Sequence, residues 1–185
     1  MNYSHKTFIF IAFILLYACG SSDLSFINEV KRFEPKWMSL SEKTAKIQHN
    51  LSITGRRYGK DMEVISPLIQ KNRENWANLF SLKNQYRRVI TQRDSLESRY
   101  NQKKELLTKT VYQFNDWENE LMKNKLDETE ARRQFKEFRQ HQAELNEEME
   151  KIYTELIQNI EAHNSILRRI AQALNLFNNF DIDPK

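Results

Sequence analysis

The stretch LNEEMEKIYTELIQNIEAHNSILRRI, residues 145–170, decides the fold of this chain. Its apolar residues return at alternating intervals of three and four residues, and neither glycine nor proline interrupts them. An average interval of about 3.5 residues is typical of a helix that packs lengthwise against another helix. The positions that form this seam are Leu145, Met149, Ile152, Leu156, Asn159, His163, Ile166 and Ile170.

A second seam with the same period precedes the first and runs from Ile65 to Leu121. Between Leu68 and Asp183 the chain contains no glycine, no proline and no strand or hairpin pattern. The two seams are separated by residues 124–127, where Asp127 and Glu130 have the spacing of a helix-capping box. With Pro67 in the first turn of the second helix, the sequence predicts helices over 67–124 and 128–178.

If the two helices fold back on each other about residue 126, the residues that face each other can be assigned. The predicted layers are Phe114 with Phe138, Trp117 with Phe135, Arg93 with Asn159 and Val89 with His163, flanked by an ion pair of Arg99 with Glu155. Most layers are apolar, and the polar ones coincide, which favours this register over one shifted by a heptad. We interpret His163 as a core histidine, with a pH-sensitive layer as the alternative.

The segment before these helices has its own apolar face, which extends from Phe26 to Leu51. It predicts a third helix over 24–57, and Gly55 and Gly59 are expected to turn the chain before Pro67. Because Ile69, Trp76 and Ile90 widen the apolar stripe at one end only, the third helix is expected to cover that end and leave a two-helix hairpin projecting. The predicted fold is therefore all-α: a long antiparallel coiled-coil hairpin with a third N-terminal helix packed on its base, an elongated three-helix bundle.

The N-terminus has the pattern of an export signal. Lys6 precedes the apolar run of residues 8–17, which is too short to cross a bilayer as a helix, since that takes roughly 20 residues. Cys19, which follows directly, is the only cysteine in the chain. A single cysteine in an exported protein has no disulfide partner, so it calls for another role.

Leu16, Ala18 and Cys19 resemble the lipobox of bacterial lipoproteins, which places Leu at −3, a small residue at −1 and Cys at +1. The resemblance covers about 20 residues and implies cleavage of a signal peptide at 1–18, with diacylglycerol and palmitate-type acyl chains on Cys19. It also implies attachment to the bacterial cell envelope, at the periplasmic face of the outer membrane or at the cell surface. The remaining chain then divides into a tether at 19–23, one helical domain at 24–180 and a tail at 181–185.

The formal net charge of +4 would suit a nucleic-acid partner, but export argues against one. Arg56, Arg57 and Lys60 are candidates for contact with lipid headgroups because basic residues outnumber acidic ones near them. Tyr112 and Leu126 point outward near the hairpin turn and are candidates for contact with a protein partner. The aromatic residues at 114, 117, 135 and 138 occupy seam positions and are interpreted as core.

No pattern for chemistry accompanies these features. The chain has no phosphate-binding glycine loop or nucleophile elbow, and no histidine has Glu three residues before it, as the carboxylate-bridged di-iron bundles require. We therefore expect no enzyme, no metal and no cofactor. The sequence indicates a lipid-anchored, non-catalytic coiled-coil adaptor or scaffold with an unidentified protein partner. A periplasmic holdase-type chaperone is the alternative, and homo-oligomerisation stays open.

Overall fold

The computed structural model describes residues 24–72 and 75–175, which form three long helices. Helix α1 spans Leu24–Lys71, α2 spans Trp76–Met122 and α3 spans Glu128–Ala173. The described ranges contain no strand. These helices pack as a three-helix bundle, which confirms the predicted all-α fold class.

Helix α1 is longer than predicted and α2 begins later. Gly55, Gly59 and Pro67 all lie inside α1, so the turn predicted at 55–67 is wrong, and Pro67 does not begin α2. A glycine in a helix interior costs only about 1 kcal/mol relative to alanine. The buried residues Tyr58, Ile65 and Ile69 anchor this part of α1 in the core and outweigh that cost.

The connection between α2 and α3 has specific caps on both sides. Asn124 adopts a left-handed conformation with φ of 53°, and the amide of Lys125 donates to the carbonyl of Glu120 at 3.0 Å. This is the Schellman arrangement that ends a helix. Asp127 then caps α3, because its Oδ1 accepts a hydrogen bond from the amide of Glu130 at 3.1 Å. The predicted start of α3 at residue 128 is confirmed.

The packing of the helices divides the chain into two compact units, each built from one segment of every helix. The aromatic unit consists of residues 24–40 and 106–145, and the tyrosine unit consists of the described residues of 41–105 and 146–175.

The aromatic unit is filled by rings from all three helices. Phe33 of α1 contacts Phe114 of α2 at 6.0 Å and Phe135 of α3 at 5.3 Å between ring centroids. The predicted layers of Phe114 with Phe138, at 5.4 Å, and of Trp117 with Phe135, at 5.8 Å, are confirmed. Edge-to-face and stacked ring contacts of this kind add roughly 0.5–1.5 kcal/mol each to the burial of the rings.

The same contacts correct the expectation of an uncovered two-helix hairpin. Phe26, near the start of α1, lies 5.7 Å from Phe135, and the guanidinium of Arg132 sits 4.4 Å above its ring. The correction follows from the length of α1. Because α1 continues to Lys71, its C-terminal half packs in the tyrosine unit and its N-terminal residues cover α2 and α3 near their connection.

The core of the tyrosine unit is apolar at its end and polar in its middle. The apolar end includes Ile65, Leu79 and Ile170, all completely buried. The middle contains the buried side chains of Tyr58, Tyr86, Asn159 and His163, and the buried Tyr100 lies toward the other end, where its hydroxyl donates to the carbonyl of Thr44. The predicted ion pair between Arg99 and Glu155 is present at 2.6 Å.

Candidate functional site

The densest group of polar side chains surrounds His163 in the tyrosine unit. The ring of His163 is fully buried and stacks on the ring of Tyr58 at 3.9 Å with an interplanar angle of 9°. Its Nε2 lies 2.9 Å from the hydroxyl of Tyr86 and 3.1 Å from the carboxylate of Asp61. The Tyr86 hydroxyl donates to the carbonyl of Tyr58 at 3.3 Å, so a proton on Nε2 satisfies both neighbouring oxygens.

Asn159, one turn before His163 on α3, connects the three helices. Its amide nitrogen donates to the carbonyl of Val89 at 2.9 Å, and its Oδ1 accepts from the hydroxyl of Tyr58 at 3.1 Å. A buried amide with both of its ends bonded fixes the relative position of its partners. We call this set the tyrosine layer; it consists of Tyr58, Asp61, Tyr86, Asn159 and His163.

Arg93 lies against α1 and does not face Asn159 as predicted. Its Nη2 donates to the carbonyl of Leu51 at 2.8 Å, and its Nη1 contacts Asp94 at 2.8 Å and Glu97 at 3.0 Å. The close approach depends on Gly55, because a Cβ at that position would lie 2.4 Å from Nη2 of Arg93. Gly55 therefore leaves the space that the guanidinium of Arg93 occupies. The sequence analysis had instead predicted that Gly55 turns the chain.

Burial raises the pKa of Tyr58, Tyr86 and Tyr100 above the ordinary tyrosine value. For Tyr86 the negative charge of Asp61 adds to the rise. All three hydroxyls are therefore held in the neutral, hydrogen-bonding form. The His163 ring is stacked on Tyr58 and fully buried, so its imidazole contributes to the packing between the helices.

Two open grooves border the layer. One, of about 440 Å³, runs between α1 and α2 past Leu51, Gly55 and Arg93. The other, of about 420 Å³, runs between α2 and α3 past Arg99, Glu155 and Asn159. Within residues 24–72 and 75–175, no set of three or more His, Cys, Asp or Glu side chains is arranged to hold a metal ion.

The three basic residues predicted to contact headgroups lie on one segment of α1. Arg56 and Lys60 are exposed, whereas Arg57 is half-buried, with its Nε 3.9 Å from the carboxylate of Asp61. Arg57 thus supports the tyrosine layer from its edge, and headgroup contact at these positions stays a prediction.

The two predicted partner-contact residues differ in exposure. Tyr112 is 68% exposed on α2, and Leu126 is half-buried in the connection between α2 and α3. Of the four aromatic residues interpreted as core, Phe114, Trp117 and Phe135 are at most 5% exposed, whereas Phe138 is half-buried. Tyr112 is therefore the more accessible of the two candidates.

Leu16, Ala18 and Cys19, the predicted lipobox, lie outside the described residues. Among the helices of the described ranges, none combines the length and the apolar character that crossing a bilayer requires.

The sequence analysis missed two features of the structure: the contact of Asp61 with His163 and the exposure of Trp76 and Phe80. Asp61 contacts His163 because α1 continues past Gly55 and Gly59. The three-four spacing of Leu51, Thr54, Tyr58 and Asp61 in the sequence already indicated that the helix continues. Trp76 was expected beneath a third helix but is 52% exposed and stacks on Phe80, which is 44% exposed. The heptad pattern alone does not show where the cover by neighbouring helices stops at the end of a helix.

Comparison of the chain with protein-family models, with curated proteins and with solved structures finds no match in any of the three.

Proposed function

We propose that this chain is a lipid-anchored protein of the bacterial cell envelope that acts as a non-catalytic helical scaffold or adaptor. The observation that carries the proposal is the lone Cys19 at the end of a lipobox-like stretch, with α1 beginning at Leu24. Four residues separate Cys19 from Leu24. At no more than about 3.6 Å per residue, such a tether holds the start of α1 within roughly 20 Å of the anchor.

The interior of both units supports a scaffold. Aromatic rings fill one, and the tyrosine layer in the other uses its polar groups to join helices. The exposed Tyr112 and the half-buried Leu126 offer a protein partner a contact surface on the aromatic unit. The corresponding candidates for contact with lipid headgroups are Arg56, Arg57 and Lys60. The proposed role involves no cofactor and no nucleic acid.

Replacing Cys19 with Ser tests the anchor. We expect the variant to accumulate as an unprocessed precursor and to incorporate no labelled palmitate, because the sulfur is the only site for diacylglycerol. A matched control, Cys19→Ser combined with Ser22→Cys, restores a thiol without restoring the lipobox and should behave like the single variant. Normal processing of Cys19→Ser would refute the anchor.

A holdase would act differently from an adaptor. It would suppress the aggregation of unrelated unfolded proteins, and substitution of Tyr112 and Leu126 would matter little to a surface that binds clients unselectively. An adaptor should leave such aggregation unchanged and lose its specific partner when both residues are replaced. Aggregation suppression by the wild-type chain that persists in the double variant would favour the holdase.

A further inference from the structure

One face of α2 carries exposed aromatic rings followed by basic side chains. Trp76, Phe80, Lys83 and Arg87 are separated by four, three and four residues, so they fall within a sector of roughly 60° on the helix. The indole of Trp76 and the ring of Phe80 stack at 5.0 Å with an interplanar angle of 17°, and about half of each side chain is exposed. We call these four residues the aromatic–basic stripe.

The segment of α2 that carries the stripe is positively charged. From Trp76 to Arg93, α2 contains four basic residues and no acidic one. Within residues 24–72 and 75–175, no acidic side chain forms an ion pair with Lys83 or Arg87.

We propose that the aromatic–basic stripe docks the tyrosine unit onto the surface of an anionic lipid bilayer. Tryptophan sits preferentially at the level of lipid headgroups, and basic residues close to an anionic membrane each contribute about 1 kcal/mol of attraction. An acidic protein would account for the charges, but it would not by itself account for two adjacent exposed rings at the end of the stripe. The inference does not require lipid on Cys19, so it can fail or succeed independently of the proposed anchor.

The chain contains its own probe for this contact. Of its three tryptophans, Trp37 and Trp117 are 3% and 5% exposed, whereas Trp76 is 52% exposed. Quenching by a water-soluble quencher therefore reports mainly on Trp76. Quenching by brominated acyl chains reports on insertion of the same side chain into the bilayer.

The experiment uses the full chain reconstituted into vesicles. With phosphatidylglycerol in the vesicles, we expect Trp76 to lose most of its aqueous quenching and to gain quenching by brominated chains. With phosphatidylcholine alone, or with salt that screens the charges, aqueous quenching should persist. The Trp76→Phe variant should show neither response, because only the two buried tryptophans remain.

Charge variants distinguish binding through the stripe from binding through the overall positive charge of the chain. Lys83→Gln with Arg87→Gln should weaken docking roughly 30-fold, from about 1 kcal/mol for each lost charge. Lys123→Gln with Lys125→Gln removes the same charge from exposed positions in the aromatic unit and should change it little. Equal effects of the two double variants would overturn the proposal.

Two other results would also overturn it. If Trp76 becomes protected by acidic polypeptide in solution but not by anionic vesicles, the occupant is an acidic protein. The chain's own segment 176–185 is the other candidate, since the carbonyl of Ala173 accepts from Nδ2 of Asn75 at 3.4 Å, beside the start of α2. Docking that appears only after residues 176–185 are removed would show that this segment covers the stripe.

Discussion

At the scale of single residues, Gly55 and Gly59 lie one helical turn apart on α1 and have opposite surroundings. Gly55 lies under the guanidinium of Arg93, whereas a Cβ on Gly59 would meet nothing within 4 Å. The general benefit of replacing a helical glycine with alanine is about 1 kcal/mol at both positions. The difference between the two substitutions therefore isolates the role of the space above Gly55.

We expect Gly59→Ala to raise the free energy of unfolding by about 0.5–1 kcal/mol. Gly55→Ala should instead lower it by roughly 1 kcal/mol, because the displaced Arg93 loses a charged hydrogen bond to Leu51 that is worth about 1.5–3 kcal/mol. Urea unfolding of the two variants measures both values. In an Arg93→Met background Gly55→Ala should no longer destabilise; equal effects of the two alanines in the wild-type background would contradict this account.

The raised pKa values of Tyr58 and Tyr86 predict a loss of stability in alkali. In the unfolded chain a tyrosine releases its proton near its reference pKa of 10.0, whereas in the folded protein these two retain theirs to higher pH. Above about pH 10 the unfolded state therefore binds fewer protons, and the free energy of unfolding falls as the pH rises. Below that pH their contribution is fully present.

Tyr58→Phe and Tyr86→Phe should each reduce this alkaline slope, although each lowers stability at neutral pH by removing a hydrogen bond. The exposed Tyr112→Phe is the matched control and should leave the slope unchanged. Urea unfolding between pH 8 and pH 11 gives the comparison. The same slope in all three variants would show that other groups govern the alkaline transition.

At the scale of helices, the connection between α2 and α3 is specified by Asn124 and Asp127. Asp127→Ala should lower the free energy of unfolding by about 1 kcal/mol, because the amide of Glu130 loses its capping partner. Asn124→Gly should be neutral or slightly stabilising, since glycine adopts the left-handed conformation without strain. Chemical denaturation of both variants checks the pair; a similar loss in both would mean that flexibility of the connection matters more than its caps.

The sequence predicted this connection because capping chemistry is local, and it predicted the pairing of α2 with α3 because the heptads repeat on both sides of it. The sequence-based prediction was wrong at Gly55, Gly59 and Pro67. These residues disfavour a helix locally, but packing against α2 and α3 favours one. The burial of Tyr58 and Ile65 decided that competition, and it depends on side chains of α2 and α3. The tyrosine layer was missed for the same reason, since Asp61 meets His163 only when α1 continues.

At the scale of the whole molecule, stability is expected to depend on cover by α1 in the aromatic unit as well. Phe33→Ala removes a ring that contacts Trp37, Phe114 and Phe135, and should lower the free energy of unfolding by about 3–5 kcal/mol. Met38→Ala is the control on α1, because Met38 is 63% exposed and should change it by at most about 0.5 kcal/mol. If both substitutions had similarly small effects, the result would support the original prediction of a hairpin that α1 does not cover.

The interleaving of the two units along the chain has a consequence for folding kinetics. In the tyrosine unit α1 and α2 are joined by a short connection and α3 arrives from a distant part of the chain; in the aromatic unit α2 and α3 are joined and α1 is the distant segment. Contacts between segments near in sequence close faster than those between distant ones. Only α2 takes part in both of the fast steps. It is therefore expected to order first, with the N-terminal part of α1 and the C-terminal part of α3 docking onto it last.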